Sequence, residues 1–229
     1  MEALAQELIE KLNCKTAFEI PLFGGIPVPE SAVVTWIIII ALTVVCAICT
    51  RNLQVIPTTK RQLVLETIVE GIHKFFYDIL GEKGSCYIPL LASIVIYIGC
   101  ANMIGIFGLT PPTKDLNVTA GLALVSILMI EFSAIRAKGA KGFVKSLAEP
   151  MPLVAPLNVL EIFIRPLSLC MRLFGNILGG FVVVELIRMI VPVIIPIPFH
   201  FYFDFFDGLI QAYVFVFLTA LFINEAIED

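Results

Sequence analysis

Arg165-Pro166-Leu167-Ser168-Leu169-Cys170-Met171-Arg172-Leu173-Phe174-Gly175-Asn176 lies inside a long apolar segment in which Glu185 is the sole charge between Arg172 and Arg188. Arginine does not deprotonate in proteins. A helix that carries it near mid-bilayer accepts a cost of between about 3 and 10 kcal/mol, set by how much water and headgroup reach it. A residue that costly is a functional candidate. Its surroundings decide both the fold and the kind of function to look for.

Working outward, the composition sets the class. Hydrophobic residues make up 59% of the chain and charged residues 15%, with a mean hydropathy of +0.98, where a soluble domain carries about 25% charged residues. The chain reads as an all-α polytopic membrane protein, a single membrane domain over residues 1–229. The formal net charge of −4 and the lack of a basic run give no sign of nucleic-acid binding. The N-terminus has no positive region followed by a cleavage site, so no signal peptide is expected. Cys46 and Cys49 have C-x-x-C spacing inside an apolar span and read as small packing residues rather than a redox or metal pair. No metal site and no cofactor are expected.

Apolar runs long enough to cross about 30 Å of hydrocarbon occur at 31–50, 86–109 and 117–135. Two longer runs cover 153–190 and 199–227, so about five membrane helices are expected. Arg51, Lys60, Arg61, Lys74 and Lys83 follow the first run, and Arg136, Lys138, Lys141 and Lys145 follow the third. The positive-inside rule then places the 1–30 segment and the N-terminus outside and the C-terminus in the cytoplasm. Over 61–80, Leu65, Ile68, Val69, Ile72, Phe76 and Ile79 recur at helical spacing. Arg61, Glu66, Glu70, Lys74 and Asp78 fall largely off that stripe. This is an amphipathic helix expected in the cytoplasmic interface, with His73 a wet interfacial side chain. No internal repeat is visible, which counts against an inverted-repeat transporter.

The last two runs are too long for upright spans. From Pro156 to Ile190 a continuous helix is roughly 50 Å long, and 199–227 gives about 43 Å. Pro166 is a candidate kink or break. Strong tilt absorbs the rest. Arg172, Gly175, Asn176 and Gly179 share one helix face, which Ser168 and Arg165 extend backwards. Gly175 and Gly179 form a G-x-x-x-G that allows close approach in lipid, either by another helix of this chain or by a partner. In the final helix His200, Asp204, Asp207, Gly208 and Gln211 fall on one stripe, and ionisable groups there need water or each other. Glu185 points elsewhere, near the outer end. Glu161, three turns before Arg172, returns to its face near the inner end. Acids towards each side with a fixed cation between them suit two half-paths separated by a barrier.

The run Pro166–Asn176 resembles the signature of the subunit a family of bacterial F-type ATP synthases, the membrane stator beside the c-ring. Similar matches are Pro111-Pro112-Thr113-Lys114-Asp115-Leu116-Asn117-Val118-Thr119, Pro156-Leu157-Asn158-Val159-Leu160-Glu161 and Asp207-Gly208-Leu209-Ile210-Gln211-Ala212. The resemblance covers about residues 30–225 in order. It implies that Arg172 faces the c-ring carboxylate, attracts it and blocks a leak. It implies that Asn176 sits one turn on, that Gln211 lies near the arginine, and that Glu161 belongs to the cytoplasmic path. Ser168, Gly175 and Gly179 would pack against the ring. Glu185, Asp204, Asp207 and His200 would form the outer path. Many members pair an acidic residue or His nine positions after the arginine with a partner seven before the glutamine. Here those positions are Phe181 and Asp204, and Glu185 is the expected substitute for the first.

The implied function is ion translocation, H+ or Na+, between outer and inner half-channels and the c-ring, coupled to rotation and ATP synthesis. The chain would be non-catalytic itself. No P-loop pattern occurs in it, so nucleotide is handled elsewhere. Implied partners are the c-ring subunits, the peripheral-stalk subunit b, other synthase subunits and the lipid of the cell inner (plasma) membrane. The rival readings are a self-contained ion channel or secondary transporter, and a non-conducting scaffold in which Arg172 is a buried pairing residue.

Overall fold

The computed structural model describes residues 16–20, 26–55, 59–146, 155–191 and 196–228. It opens with a hairpin that the helical patterning did not anticipate. Strand β1 (Thr16–Ile20) pairs antiparallel with β2 (Ile26–Pro29), with Phe18 opposite Val28 and Ile20 opposite Ile26. The other residues of the 1–30 segment lie outside the described ones.

Pro29 leads into α1 (Glu30–Thr50), whose apolar β-branched run is helical throughout. Only Ser31, Val34 and Ile38 are buried, a narrow stripe of helical period. Val34 and Ile38 rest on Ala101, and Thr35 Oγ1 lies 3.2 Å from the Tyr97 hydroxyl. Trp36, Ile37, Ile40 and Val45 are left for lipid. The end of α1 is closed from outside itself. Arg61 Nη2 donates to the carbonyls of Ile48 (2.8 Å), Cys49 (3.0 Å) and Arg51 (3.2 Å). These include carbonyls that a helix end leaves without an internal donor.

The amphipathic helix is α2 (Lys60–Gly84). Thr59 caps it by accepting from the Gln62 backbone N–H, and Gly81, at φ 62°, turns the chain near its end. Its stripe divides in two. Phe76 is buried in the core with Ile72 and Ile79 packed against it, whereas Ile68 and Val69 stay exposed. The Phe75 ring meets those of Tyr213 and Phe217 of the last helix at a tilt, with centroids 5.5 and 6.3 Å away. His73 is exposed, as expected of a wet side chain. Next come α3 (Ile88–Met103), closed by a 3-10 turn and left-handed Gly108, and α4 (Leu116–Ser146), broken at Gly139, φ 72°. α5 (Ala155–Ile190) runs straight through Pro166 as one helix, so that proline neither breaks nor divides it. At 36 residues it is roughly 54 Å long.

The expected last helix is not one regular helix. A short α6 (Pro196–His200) passes into a π-helical segment, Phe201–Asp207, and then into α7 (Gly208–Glu228). The Gly208 N–H reaches back five residues to the Phe203 carbonyl. More residues per turn than 3.6 displaces everything upstream relative to α7. The predicted stripe His200–Asp204–Asp207–Gly208–Gln211 is therefore divided between separate surroundings.

α7 is the hub. α2, α3 and α4 pack on it, and α5 packs on α4. Ala212, Phe215, Val216, Ala220 and Ile223 sit in a core shared with Leu91, Ile98, Ile130 and Leu173. Among the described residues five helical stretches are long and apolar enough to cross a membrane. The position of α7 is set by Asn102, 1% exposed. Its Nδ2 donates to the Gly208 carbonyl (2.9 Å), and its Oδ1 accepts from Thr113 Oγ1 (2.7 Å). A Cβ added at Gly208 would meet Asn102 Cβ at 2.9 Å. Gly208→Ala is expected to force the two apart and destabilise the chain by about 1–3 kcal/mol, read as a lower thermal midpoint in detergent.

Candidate functional site

Arg172 lies on a face of α5 that none of the other described residues buries. Leu169, Cys170, Leu173, Ile177, Gly180 and Val184 are buried. Ser168, Arg172, Gly175, Asn176 and Gly179 are exposed on the other side. A Cβ at Gly175 or Gly179 would meet nothing within 4 Å, whereas one at Gly180 would meet the Phe203 ring carbons at 2.9 Å. Among the described residues the G-x-x-x-G is thus not used for packing, and its neighbour Gly180 is. The result is an open, shallow groove with a charge in it. Among the described residues Arg172 forms no ion pair and no hydrogen bond.

One turn on, Asn176 Nδ2 donates to Gln211 Oε1 at 2.7 Å. This bond ties α5 to α7. Gln211 is 3% exposed, and its Nε2 has no partner among the described residues. The resemblance had placed Gln211 near the arginine. It lies one helical turn from it, through Asn176.

Towards its N-terminal end, α5 carries a clasp. Arg165 donates to Glu161 Oε1 (2.9 Å) and, across to α7, to Glu225 Oε1 (3.0 Å), with its guanidinium 4.8 Å from the centre of the Phe222 ring. Glu131 of α4 is close enough to feel the Arg165 charge. Glu161 is half exposed at 53% and already paired. Arg165, Glu225 and Glu131 were not among the candidates. The i,i+4 spacing of Glu161 and Arg165 was a visible signal, but the other two acids come from separate helices.

At the other end of α5 opens a cleft of about 670 Å³, between the start of α1, the turn after α3, and the α5–α6 corner. Glu185, Asp204 and His200 line it, as does Phe181. Glu185 is 3% exposed and pairs with Arg188 at 3.2 Å. Arg188 Nη2 lies 2.6 Å from His200 Nε2, and His200 Nδ1 lies 3.1 Å from Asp204 Oδ2. Asp204 sits tight on Gly105, where a Cβ would come within 2.6 Å of its Oδ2. Phe181 carries Lys114 Nζ 3.6 Å over its ring, so a cation–π contact occupies that position. Asp207 does not line the cleft, because the π segment turns it away. Arg188 and Lys114 were not among the candidate site residues. The i,i+3 spacing from Glu185 pointed to Arg188, but nothing local pointed to Lys114.

The motif Pro111–Thr119 is structural. The Asp115 carboxylate accepts from the Asn117 backbone N–H (2.9 Å), capping α4, and from Ser31 Oγ of α1 (2.5 Å). A buried carboxylate without such partners would be costly. Among the described residues no group of His, Cys, Asp and Glu could hold a metal ion.

Long apolar helices with ionisable groups gathered at an uncovered arginine, a clasp and a cleft define a multi-pass membrane protein of ion transport. The family model described as ATP synthase A chain matches residues 32–224. The chain is 34% identical to the sodium-ion-specific ATP synthase subunit a of Propionigenium modestum, over 90% of this chain and 76% of that one. It is 37% identical to ATP synthase subunit a of Moorella thermoacetica, over 92% and 96%. It is 34% identical to ATP synthase subunit a 2 of a Bradyrhizobium species, over 89% and 91%. The chain belongs to the ATP synthase subunit a family, the non-catalytic membrane component of the ATP synthase.

Asn176→Leu is expected to leave buried Gln211 with neither amide end bonded, at a cost of about 1–3 kcal/mol. A thermal midpoint in detergent equal to that of the unaltered chain would contradict this role.

Proposed function

We propose that the uncovered face of α5 is the surface past which a c-ring turns, and that Arg172 is the charge that meets each ring carboxylate. The observation that carries this is the empty space over Gly175 and Gly179, on the same face as an arginine without an ion pair among the described residues. A fixed guanidinium attracts an ionised carboxylate but cannot relay a proton. It therefore separates two paths while letting the rotor pass.

In this reading the cleft of Glu185 and Asp204 is the outer half-channel and the Glu161 end of α5 is the inner one. The positive-inside pattern supports the same orientation, N-terminus outside and C-terminus cytoplasmic. An ion, H+ or Na+, enters by the cleft, neutralises a ring carboxylate, rides through lipid for nearly a full turn and leaves near Glu161. Arg172 then holds the emptied carboxylate. Asn176 and Gln211 keep α5 and α7 in register beside it, and Ser168, Gly175 and Gly179 permit the close approach. The membrane potential supplies about 2.3 kcal/mol per charge per 100 mV. Subunit b and the remaining synthase subunits complete the assembly in the cell membrane, with α5 and α7 tilted against the ring.

In assembled complexes in liposomes, Arg172→Ala is expected to lower ion-driven ATP synthesis by at least about tenfold, or about 1.4 kcal/mol in barrier terms. Full coupled synthesis would sink the reading. Rapid selective conductance by the purified chain alone would favour the self-contained channel instead. For the outer path, Glu185→Ala and Asp204→Ala are each expected to slow synthesis. A normal rate in the first with loss in the second removes Glu185 from the path.

A further inference from the structure

The cleft contains a bond that joins two elements and depends on one proton. Glu185 and Arg188 pair on α5, and His200 and Asp204 pair across α6 and the π segment. The Arg188–His200 contact at 2.6 Å links the two pairs across the cleft. Guanidinium has donors and no acceptor, so His200 Nε2 must accept from it. The ring proton is then on Nδ1, where it donates to Asp204 Oδ2. His200 is therefore neutral when the bond is made.

We propose that Arg188 and His200 form a latch across the cleft mouth, closed when His200 is neutral and released when His200 takes a proton from the outer medium. The inference rests on the cleft being the outer ion path. Arg188 acts as a positioning residue, because it touches the path's carboxylate Glu185 rather than the rotor. Protonation puts an N–H on Nε2, facing the guanidinium N–H. A donor then meets a donor and two positive charges meet at contact distance. The cross-element bond is lost, while the Nδ1 bond to Asp204 is kept and gains charge assistance.

The other charged groups lining the cleft fix the setting. Glu30 comes from α1, Lys114 and Asp115 from the turn before α4, and Glu185 and Asp204 from the elements already described. Asp115 is tied to Ser31 and the α4 N-terminus. Lys114 is held over Phe181. His200 and Arg188 are partly exposed, at 33% and 48% of their side chains, and both line the cleft. Histidine is the side chain whose ordinary range, about 6.5, suits such a response.

The test uses assembled complexes in liposomes, with the pH on the outer face of the subunit stepped from about 8 to about 5.5, through that range. The inner pH is moved in parallel, so that the gradient stays constant, under a fixed potassium diffusion potential. ATP synthesis by the unaltered complex is expected to rise as the outer pH falls through the histidine range. His200→Gln retains an acceptor for Arg188 but cannot titrate, so its rate should stay at the alkaline value. Arg188→Met removes both the charge and the donors, so its rate should stay at the acid value. Opposite plateaus in the two variants support the latch. Both variants following the unaltered profile would overturn it. Arg172→Ala vesicles run alongside keep the two ideas apart: wild-type synthesis there would end the path reading, and the latch with it.

Discussion

Asn102 is the small constraint on which the rest is arranged. A buried amide in a membrane helix must spend its donor and its acceptor within the protein. Here it spends them on the Gly208 carbonyl and the Thr113 hydroxyl. The first bond holds the junction of the π segment and α7 against α3, the second holds the turn before α4. With Gly208 fixed, Asp204 falls beside Gly105 and faces the cleft, and Gln211, one turn into α7, reaches Asn176. One side chain thereby sets the spacing between the cleft and the α5–α7 contact.

The same rule explains which parts of the fold could be read from the sequence. Helix positions follow from apolar length, so the spans near 31–50, 86–109 and 117–135 lie close to α1, α3 and the first part of α4. That Arg172, Gly175, Asn176 and Gly179 share one face of α5 was legible too, because helical spacing places them together whatever the tertiary structure does, but spacing left open whether that face packs within the chain. The π segment was not legible. Its junction with α7 is held by Asn102, whose Nδ2 donates to the Gly208 carbonyl 106 residues away in sequence, and periodicity within a window contains no such term. The β-hairpin escaped for a similar reason, since short pairing is decided between strands.

At the site, local spacing found the acids and missed what holds them. Glu161 and Glu185 were visible as charges, and their bound states with Arg165 and Arg188 were not weighed. Phe181 looked like a loss, because a titratable group was expected there. In the structure it seats Lys114, which brings a cation into the cleft beside the carboxylates. That exchange makes the cleft less negative than its acids alone imply. It also gives Glu185 and Asp204 surroundings already rich in donors, in contrast to a cage of oxygens built for a dehydrated metal ion.

Three arginines on α5 make the final comparison. Arg165 has two carboxylates and an aromatic ring, and Arg188 has a carboxylate and an imidazole. Arg172, between them and seven and sixteen residues from them by position, has no ion pair among the described residues. A helix that satisfied all three within the chain would be the more stable one, since a charge left without a partner in lipid is costly. The two outer arginines show that this fold readily supplies partners, from α7 in one case and α6 in the other. That the middle one has none among the described residues agrees with the proposal that its counter-charge lies on another protein. The glycines beside it leave room for another helix, and the proposed ring carboxylate is a counter-charge that arrives and departs. A permanent partner within the chain would fill that place and hold the rotor out.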